Sequence, residues 1–249
     1  MNINNFSDSI PPNNPENPAR KRKQSTLTES SDKRQRTAQR SQDAATALLS
    51  LGTANTSTSD PIPRKVFLKK GGCEYYVPLV NGLAHGKGKK YYPNAIRYDG
   101  DFKQGRKDGK GTQYHPSGFI KYHGDWQEGK FHGAGTEYDQ SGKKIYTGEY
   151  QNGKRHGEGK AYDTQTGNLR YEGQFLEGYR HGEGKAYNPQ TGKLRYEGQF
   201  QEGKPHGEGK VYCPQTNNLI YEGQFQMGKW HDEGKAYNPQ TGKLSYEGQ

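Results

Sequence analysis

The sequence predicts an all-β protein, an elongated single antiparallel sheet of repeated β-hairpins that follows a disordered N-terminal tail. Three observations indicate this class. A Tyr recurs every 23 to 25 residues from Tyr75 to Tyr221. Within each period, apolar and polar residues alternate as they do in strands. The composition also changes along the chain, because all 19 Tyr lie after residue 74 and 34 of the 35 Gly lie after residue 70.

This change of composition divides the 249 residues into two parts. Residues 1–70 are rich in Ser, Thr, Asn, Pro, Gln and charged residues, which bury too little apolar surface to offset the entropy of ordering. We therefore expect a disordered basic tail over residues 1–70 and the repeat array over residues 71–249. Only 27% of the chain is hydrophobic, so a single thick core is not expected.

The repeat has three fixed columns. The first Tyr column is Tyr75, Tyr98, Tyr122, Tyr146, Tyr171, Tyr196 and Tyr221. Gly follows each of these residues at a distance of seven and again at a distance of thirteen, and a second Tyr follows at a distance of sixteen. A period of this length is the signature of a repeat architecture.

One unit shows how the hairpin is built. In Leu194 to Phe200 the apolar residues and the polar residues alternate, which indicates a strand. The stretch QEGKPHGEG that follows is rich in Gly and is predicted as a turn, with KVY as the core of a short second strand. The stretch NPQTG after Tyr187 predicts another turn, since Pro fixes one φ and Gly supplies a positive φ. Two strands per unit give an antiparallel meander.

A Gly lies between two aromatic residues in the first strand of most units. Gly198 is one example, and its missing side chain leaves room for the ring of a neighbouring unit, so aromatic rings are expected to stack from unit to unit. We expect the aromatic residues to form a repeated face that, with polar residues, is offered to a protein partner. These residues are Tyr98, Phe102, Tyr122, Trp126, Tyr146, Tyr150, Tyr171, Phe175, Tyr196, Phe200, Tyr221 and Phe225.

The unit YEGQFQEGKPHGEGKVY resembles the MORN repeat, with its Tyr-x-Gly, its Gly turn and its His-Gly-x-Gly. The resemblance runs from Tyr75 to Gln249, as seven units and a partial eighth, and it implies an elongated sheet of hairpins. The pattern is broken by Val77 in place of Gly, by Asp108 in place of His, and by HDEG at His231 to Gly234. Erosion at the ends is typical of the capping units of an array.

No group of residues suggests catalysis or a cofactor. Residues of the His column lie two strands apart, about 10 Å, whereas zinc needs its ligands within about 2 Å. We expect these residues, His85, His132, His156, His181, His206 and His231, to hydrogen-bond locally in turns. The column of Glu172, Glu197 and Glu222 is expected in solvated strand positions opposite Lys and Arg. A uniform repeat supplies the same groups at many points instead of different groups at one point, so we expect neither an enzyme nor a metal or cofactor site.

The distribution of charge bears on which kind of partner the array binds. Residues 71–249 hold 25 basic and 21 acidic residues, so the array lacks the single-sign stripe of a nucleic-acid channel and no specific nucleic-acid binding is expected. A non-catalytic scaffold for protein–protein interaction is our first hypothesis. A peripheral membrane module that binds acidic phospholipids weakly through Lys and Arg is the alternative, which the resemblance also implies.

The tail carries a motif that resembles a bipartite nuclear localisation signal: Lys21 and Arg22, ten residues, then Lys33, Arg34 and Arg36. In a eukaryotic cell it would bind an import receptor and direct the chain to the nucleus, whereas a generic basic tail would leave it in the cytoplasm. Neither a secretory signal nor a membrane-spanning segment is expected, because no apolar run is long enough.

The last unit stops at Gln249 without its aromatic residue and second strand. A strand edge exposes unpaired backbone groups that invite another strand. We expect edge-to-edge self-association through this segment, with a lone protected edge as the alternative.

Overall fold

The computed structural model describes residues 66–70, 73–92 and 95–248, and every regular element in these ranges is a β-strand. The rest of the predicted tail, with its localisation-like motif, lies outside the described residues. Sixteen strands form one antiparallel sheet whose order follows the sequence, and two further short strands, the third and fourth along the chain, form a separate pair, so that the second strand pairs with the fifth. The predicted fold class is confirmed.

The strands are β1 Val66–Lys70, β2 Cys73–Val77, β3 Leu79–Val80, β4 Leu83–Ala84, β5 Gly86–Tyr91, β6 Ile96–Lys103, β7 Arg106–Tyr114, β8 Ile120–Gln127, β9 Lys130–Tyr138, β10 Lys144–Gln151, β11 Lys154–Tyr162, β12 Leu169–Leu176, β13 Tyr179–Tyr187, β14 Leu194–Gln201, β15 Lys204–Tyr212, β16 Leu219–Gln226, β17 Lys229–Tyr237 and β18 Leu244–Gly248. The last of them is one edge of the sheet, and it pairs with β17. Self-association through this edge stays a prediction.

The sheet begins earlier than the predicted boundary at residue 71. Strand β1 runs from Val66 to Lys70 and pairs antiparallel with β2, with Val66 opposite Val77. The sequence VFLKK carries the β-branched and aromatic residues that favour strands. The polar composition of the preceding residues hid this signal when residues 1–70 were treated as one block.

The turn inside each unit is far shorter than predicted. It consists of two residues, such as Glu202 and Gly203, whose φ angles of 49° and 83° are both positive, as a type I′ hairpin turn requires. Strand β15 therefore starts at Lys204, and the segment predicted as turn continues as strand. An irregularity accommodates it, because Gly198 is opposite Gly209 while Phe200 is opposite Pro205.

The turn between units is the predicted one. In NPQTG, the Asn188 side-chain oxygen accepts hydrogen bonds from the backbone N–H groups of Gln190 and Thr191 at 2.9 and 3.1 Å. Gly192 has a φ of 72° and its N–H donates to the Asn188 carbonyl at 2.7 Å. Successive turns are joined as well, since Lys193 Nζ donates to the Gln215 carbonyl at 2.7 Å.

One face of the sheet buries a continuous chain of aromatic rings. The Tyr196 ring meets Phe200 of its own unit edge to face at 5.0 Å and Phe225 of the next unit at 5.2 Å. The same alternation links units along the array, so the rings connect neighbouring units as predicted, but in edge-to-face rather than stacked geometry. Edge-to-face pairs at this distance are favoured by the ring quadrupoles.

The Gly residues make room for a ring of their own unit, not of a neighbouring one as predicted. A Cβ atom at Gly209 would lie 2.2 Å from the Tyr196 hydroxyl oxygen and 2.6 Å from the ring. This hydroxyl donates a hydrogen bond to the Gln199 carbonyl at 2.9 Å. The Tyr ring therefore covers the backbone where the Gly residues of two strands face each other.

Candidate binding groove

The twelve aromatic residues predicted as a partner-binding face form the core instead. Each is at most 4% exposed, and five of the Tyr residues are at most 1% exposed. Burial raises the pKa of the Tyr98, Tyr122 and Tyr196 hydroxyls. A partner cannot reach these rings. A binding surface on this sheet is therefore expected on the opposite face.

That opposite face is concave. A continuous groove with a volume of about 1250 Å³ crosses nine strands, from Thr147 on β10 to Gly248 on β18. Its lining consists of Gly, Glu, Lys, one Thr and one Gln, and no aromatic side chain lines it. The buried rings on one side and the groove on the other indicate that the sheet bends along the row of Gly residues.

The floor of the groove is bare backbone. Gly173 is opposite Gly184 and Gly198 is opposite Gly209, and the same pairing recurs along the row. A Cβ atom at Gly173 would lie 2.5 Å from the Gly184 Cα. Because backbone is too close to give way, this row accepts only Gly, and it leaves a floor without side chains.

One side of the groove, here called the ladder wall, alternates Glu and Lys on successive strands. Lys160 pairs with Glu172 at 3.1 Å, and Lys185 pairs with Glu197 at 3.8 Å. The wall consists of Lys160, Glu172, Lys185, Glu197, Lys210, Glu222, Lys235 and Glu247. Its charges balance, and the prediction that the Glu column lies opposite basic residues is confirmed by the strand register.

Tyr hydroxyls outside the groove lining donate to carboxylates of the ladder wall. Tyr187 donates to Glu172 and Tyr212 donates to Glu197, both at 2.5 Å, and Tyr237 donates to Glu222 at 2.6 Å. The Tyr187 hydroxyl, followed by Lys160, lowers the pKa of the Glu172 carboxyl below its ordinary value. In these three repeats the second Tyr therefore holds a carboxylate of the ladder wall and leaves it little capacity for a ligand.

The other side, here called the open wall, consists of Glu158, Glu183, Glu208, Gln224 and Glu233. Glu158 is opposite Gln174, Glu183 is opposite Gln199, and Glu208 is opposite Gln224. The Gln224 amide donates to the Glu208 carboxylate at 2.6 Å. Among the described residues, no Lys or Arg lies within ion-pair distance of Glu158, Glu183 or Glu208. These three Glu residues therefore form a row of carboxylates without a cation in the described part of the chain.

The N-terminal half of the same face differs. Lys110 pairs with Asp125 at 2.8 Å, and the Thr112 hydroxyl lies 2.8 Å from His123 Nδ1. The hydroxyls of Thr136 and Thr147 lie 3.0 Å apart. The row of carboxylates without a cation is therefore a feature of the later, more regular units.

The His column gives no metal site within the described part of the chain. No group of three or more His, Cys, Asp or Glu residues there is close enough to hold an ion. The Nδ1 atoms of His132, His156 and His206 are buried and have no hydrogen-bond partner. For these atoms the predicted local hydrogen bond is absent, and the His residues lie in strands rather than in turns.

Sequence reasoning missed the groove and its open wall. The signal was present in GEGK, where Glu183 recurs as Glu158, Glu208 and Glu233 two residues before a Lys. Whether a Lys pairs with the carboxylate of this Glu depends on which residue of the neighbouring strand lies opposite the Glu. That register is shifted by irregularities between Gly173 and Phe175 and between Ala186 and Tyr187, which the sequence does not reveal.

A sheet that adds one two-stranded unit after another, each packed only on its neighbours, defines a β-hairpin repeat protein. Seven segments match the MORN repeat family: residues 79–95, 98–119, 122–144, 146–164, 171–189, 196–217 and 221–235. These segments make up more than half of the chain, and the protein belongs to the MORN repeat family. No match to a curated protein is found.

Over the ranges that the structure describes, no helix has the length and apolar character required to cross a membrane.

Proposed function

We propose that this MORN repeat protein is a non-catalytic scaffold whose groove binds an extended segment of a protein partner. The observation that carries the proposal is the continuous groove across nine strands, with a floor of bare backbone and walls of hydrogen-bonding side chains. An extended peptide can approach such a floor closely, because no side chain rises from it. The same groups recur at every unit, which suits recognition of a long ligand and not chemistry at one point.

The charge of the groove favours a protein segment over a phosphate-bearing ligand. Eight Glu and four Lys residues line it, a formal charge of −4, although the whole chain carries +10. A negative groove repels nucleic acid and acidic lipid headgroups. The nuclear direction of the scaffold rests on Lys21, Arg22, Lys33, Arg34 and Arg36 in the sequence.

Selection from a library of displayed, unstructured peptides tests this function. The full chain should enrich a set of ligands, and Gln224→Trp, which places a large ring in the groove lining, should abolish their binding. Gln226→Trp is the matched control, because Gln226 is exposed at the end of the same strand, outside the groove lining. Circular dichroism verifies that both variants keep the sheet. Ligands that bind the blocked variant as well as the wild type would place the binding surface elsewhere.

A second candidate function, binding of acidic phospholipid headgroups, has its own observation. The chain carries a net charge of +10 although the groove lining carries −4, so the basic excess lies outside the groove and is available to acidic headgroups.

This candidate predicts weak and salt-sensitive binding. Sedimentation with vesicles that contain a phosphoinositide should show binding at low salt that is lost at physiological salt, since exposed charges are screened over about 8–10 Å. The groove variant Gln224→Trp should leave this binding unchanged. Tight binding that resists salt would promote this candidate above the scaffold.

A further inference from the structure

The open wall, beyond offering a groove, carries a spacing that selects one kind of ligand. We infer that the C-terminal half of the groove recognises a basic segment in polyproline II conformation, with Lys or Arg at every third residue. This inference rests on the proposed function and names the chemistry of the partner. It follows from two features: the uncompensated charge and its period.

The charge available to a ligand is on one wall. Each Lys of the ladder wall is in register with a Glu, as in Lys160 with Glu172 and Lys210 with Glu222. Tyr187 and Tyr212 hold two of these carboxylates as well. Within the described residues, Glu158, Glu183 and Glu208 of the open wall have no such cation at ion-pair distance. Their carboxylates are therefore available to a cationic ligand. Charge complementarity of this kind determines partner choice.

The period of these carboxylates is fixed by the sheet. Glu158 lies on β11, Glu183 on β13 and Glu208 on β15, so that one strand separates each pair. At about 4.8 Å between neighbouring strands, the repeat along the groove is about 9.6 Å. A ligand that uses all of these groups must present a cation at the same interval, always on the same side.

Polyproline II meets both conditions. It has three residues per turn and a rise of about 3.1 Å, so residues i, i+3 and i+6 point the same way and lie about 9.3 Å apart. A β-strand covers a similar distance in three residues, but consecutive third residues point to opposite faces. A strand would therefore engage only every second carboxylate.

Gln224 is the one Gln of the groove lining. Its amide donates to the Glu208 carboxylate at 2.6 Å, so it holds that carboxylate in place and leaves the negative charge for a ligand cation.

Three labelled peptide probes test the inference by fluorescence anisotropy with the full chain. The first repeats Lys-Pro-Pro four times, the second places the same Lys residues in one block before the same Pro residues, and the third replaces Lys by Glu in the first. All three favour polyproline II, and the first two have equal charge. We expect the periodic probe to bind about tenfold more tightly than the block probe, and the acidic probe not to bind.

Two triple variants locate the contact. Glu158→Gln, Glu183→Gln and Glu208→Gln together should weaken the periodic probe about tenfold, the effect expected from three partly exposed ion pairs. The control, Glu128→Gln, Glu177→Gln and Glu202→Gln, removes the same charge from exposed turn residues and should change the affinity less than about twofold.

Equal binding of the periodic and block probes, or equal losses in the two triple variants, would overturn the inference, because both results indicate charge attraction without register. Failure of this inference is distinguishable from failure of the proposed function. Library ligands that are lost in Gln224→Trp but have no basic period of three would leave the scaffold standing and reject the polyproline II ligand.

Discussion

At the scale of single residues, the array depends on the contact between one Tyr and two Gly residues. Tyr196 covers the point where Gly198 and Gly209 face each other, and a side chain at Gly209 would overlap the ring. Gly209 has no positive φ, so its requirement is steric, whereas Gly192 has a φ of 72° and nothing within 4 Å. Substitutions at these two residues therefore distinguish the steric effect of the ring contact from the cost of a left-handed backbone conformation.

Gly209→Ala should lower the free energy of unfolding by about 1–3 kcal/mol, because the added methyl group forces a fully buried ring to move. Gly192→Ala should cost about 1 kcal/mol, the price of a left-handed conformation alone. Urea unfolding of both variants measures the difference. A Gly209→Ala protein as stable as the Gly192→Ala protein would contradict the ring contact.

Lys107 is an ionisable residue on the aromatic face. Its ammonium group lies 4.1 Å from the Trp126 ring and 4.9 Å from the Tyr98 ring, and it donates to the Gln113 side chain at 2.9 Å. Burial, followed by repulsion from Lys90 and Lys121, lowers the pKa of this amine to about 8 from an ordinary 10.5. Between these values the unfolded state binds more protons than the folded state, so stability contributed by this group rises with pH.

Lys107→Met should remove this rise. The wild type should gain stability relative to the variant between about pH 8 and pH 10.5, and the difference should be constant below about pH 7. Urea unfolding at a series of pH values compares the two chains, and groups common to both cancel. A difference that does not change with pH would show that the amine titrates as it does in water.

At the scale of elements, the sequence predicted the strands that alternate and missed the segments governed by backbone conformation. Leu194 to Phe200 was predicted correctly because its side chains carry the period. The segment after it was taken as a long turn because of its three Gly residues, whereas a single pair, Glu202 and Gly203, makes the turn. The positive φ of Glu202 is imposed by the hairpin around it, and the residue type gives no indication of this conformation.

The same limit explains why the aromatic residues were placed on a binding face. Alternation shows which residues share a face, but it does not show that the sheet bends along its Gly row and buries that face. The register beside this row is irregular, as between Gly198 and Phe200, and alternation does not show such a shift either. The groove, which lies on the other side of the bend, could not be predicted for the same reason.

Phe200 joins two units, since its ring meets Tyr171 at 5.1 Å and Tyr196 at 5.0 Å. Phe200→Ala should cost about 3–5 kcal/mol, the usual loss for a buried ring. It should also split the thermal transition in two, because an array is coupled only through nearest neighbours. Calorimetry checks both effects, with the exposed Leu176→Ala as the control expected to change little. One unsplit transition in Phe200→Ala would mean that other contacts carry the coupling.

At the scale of the whole molecule, the two faces of the array have different roles. One face holds the buried rings that keep the units together, and the other holds the groove. Because the structural groups and the binding groups are on opposite faces, variation in the walls of the groove can proceed without loss of the fold. That separation makes a repeat array suitable as a scaffold.

The localisation-like motif predicts nuclear import in a eukaryotic cell. Lys33→Ala with Arg34→Ala should return a fluorescent fusion to the cytoplasm, because an import receptor reads both basic clusters. The chain is 28.0 kDa, small enough to diffuse through nuclear pores, so the fusion must carry a large cargo. Unchanged nuclear accumulation of the variant would exclude this motif as the signal.

The central claim, that the groove is the surface that binds a partner, is tested most directly by nuclear magnetic resonance of the full chain with only its Gly residues labelled with nitrogen-15. These residues report on two places at once: Gly184, Gly198 and Gly209 form the floor of the groove, and Gly192 and Gly203 lie in turns. When a peptide selected by the wild-type chain is added, the floor resonances should shift and the turn resonances should stay. Shifts in the turn residues with an unchanged floor would contradict the claim.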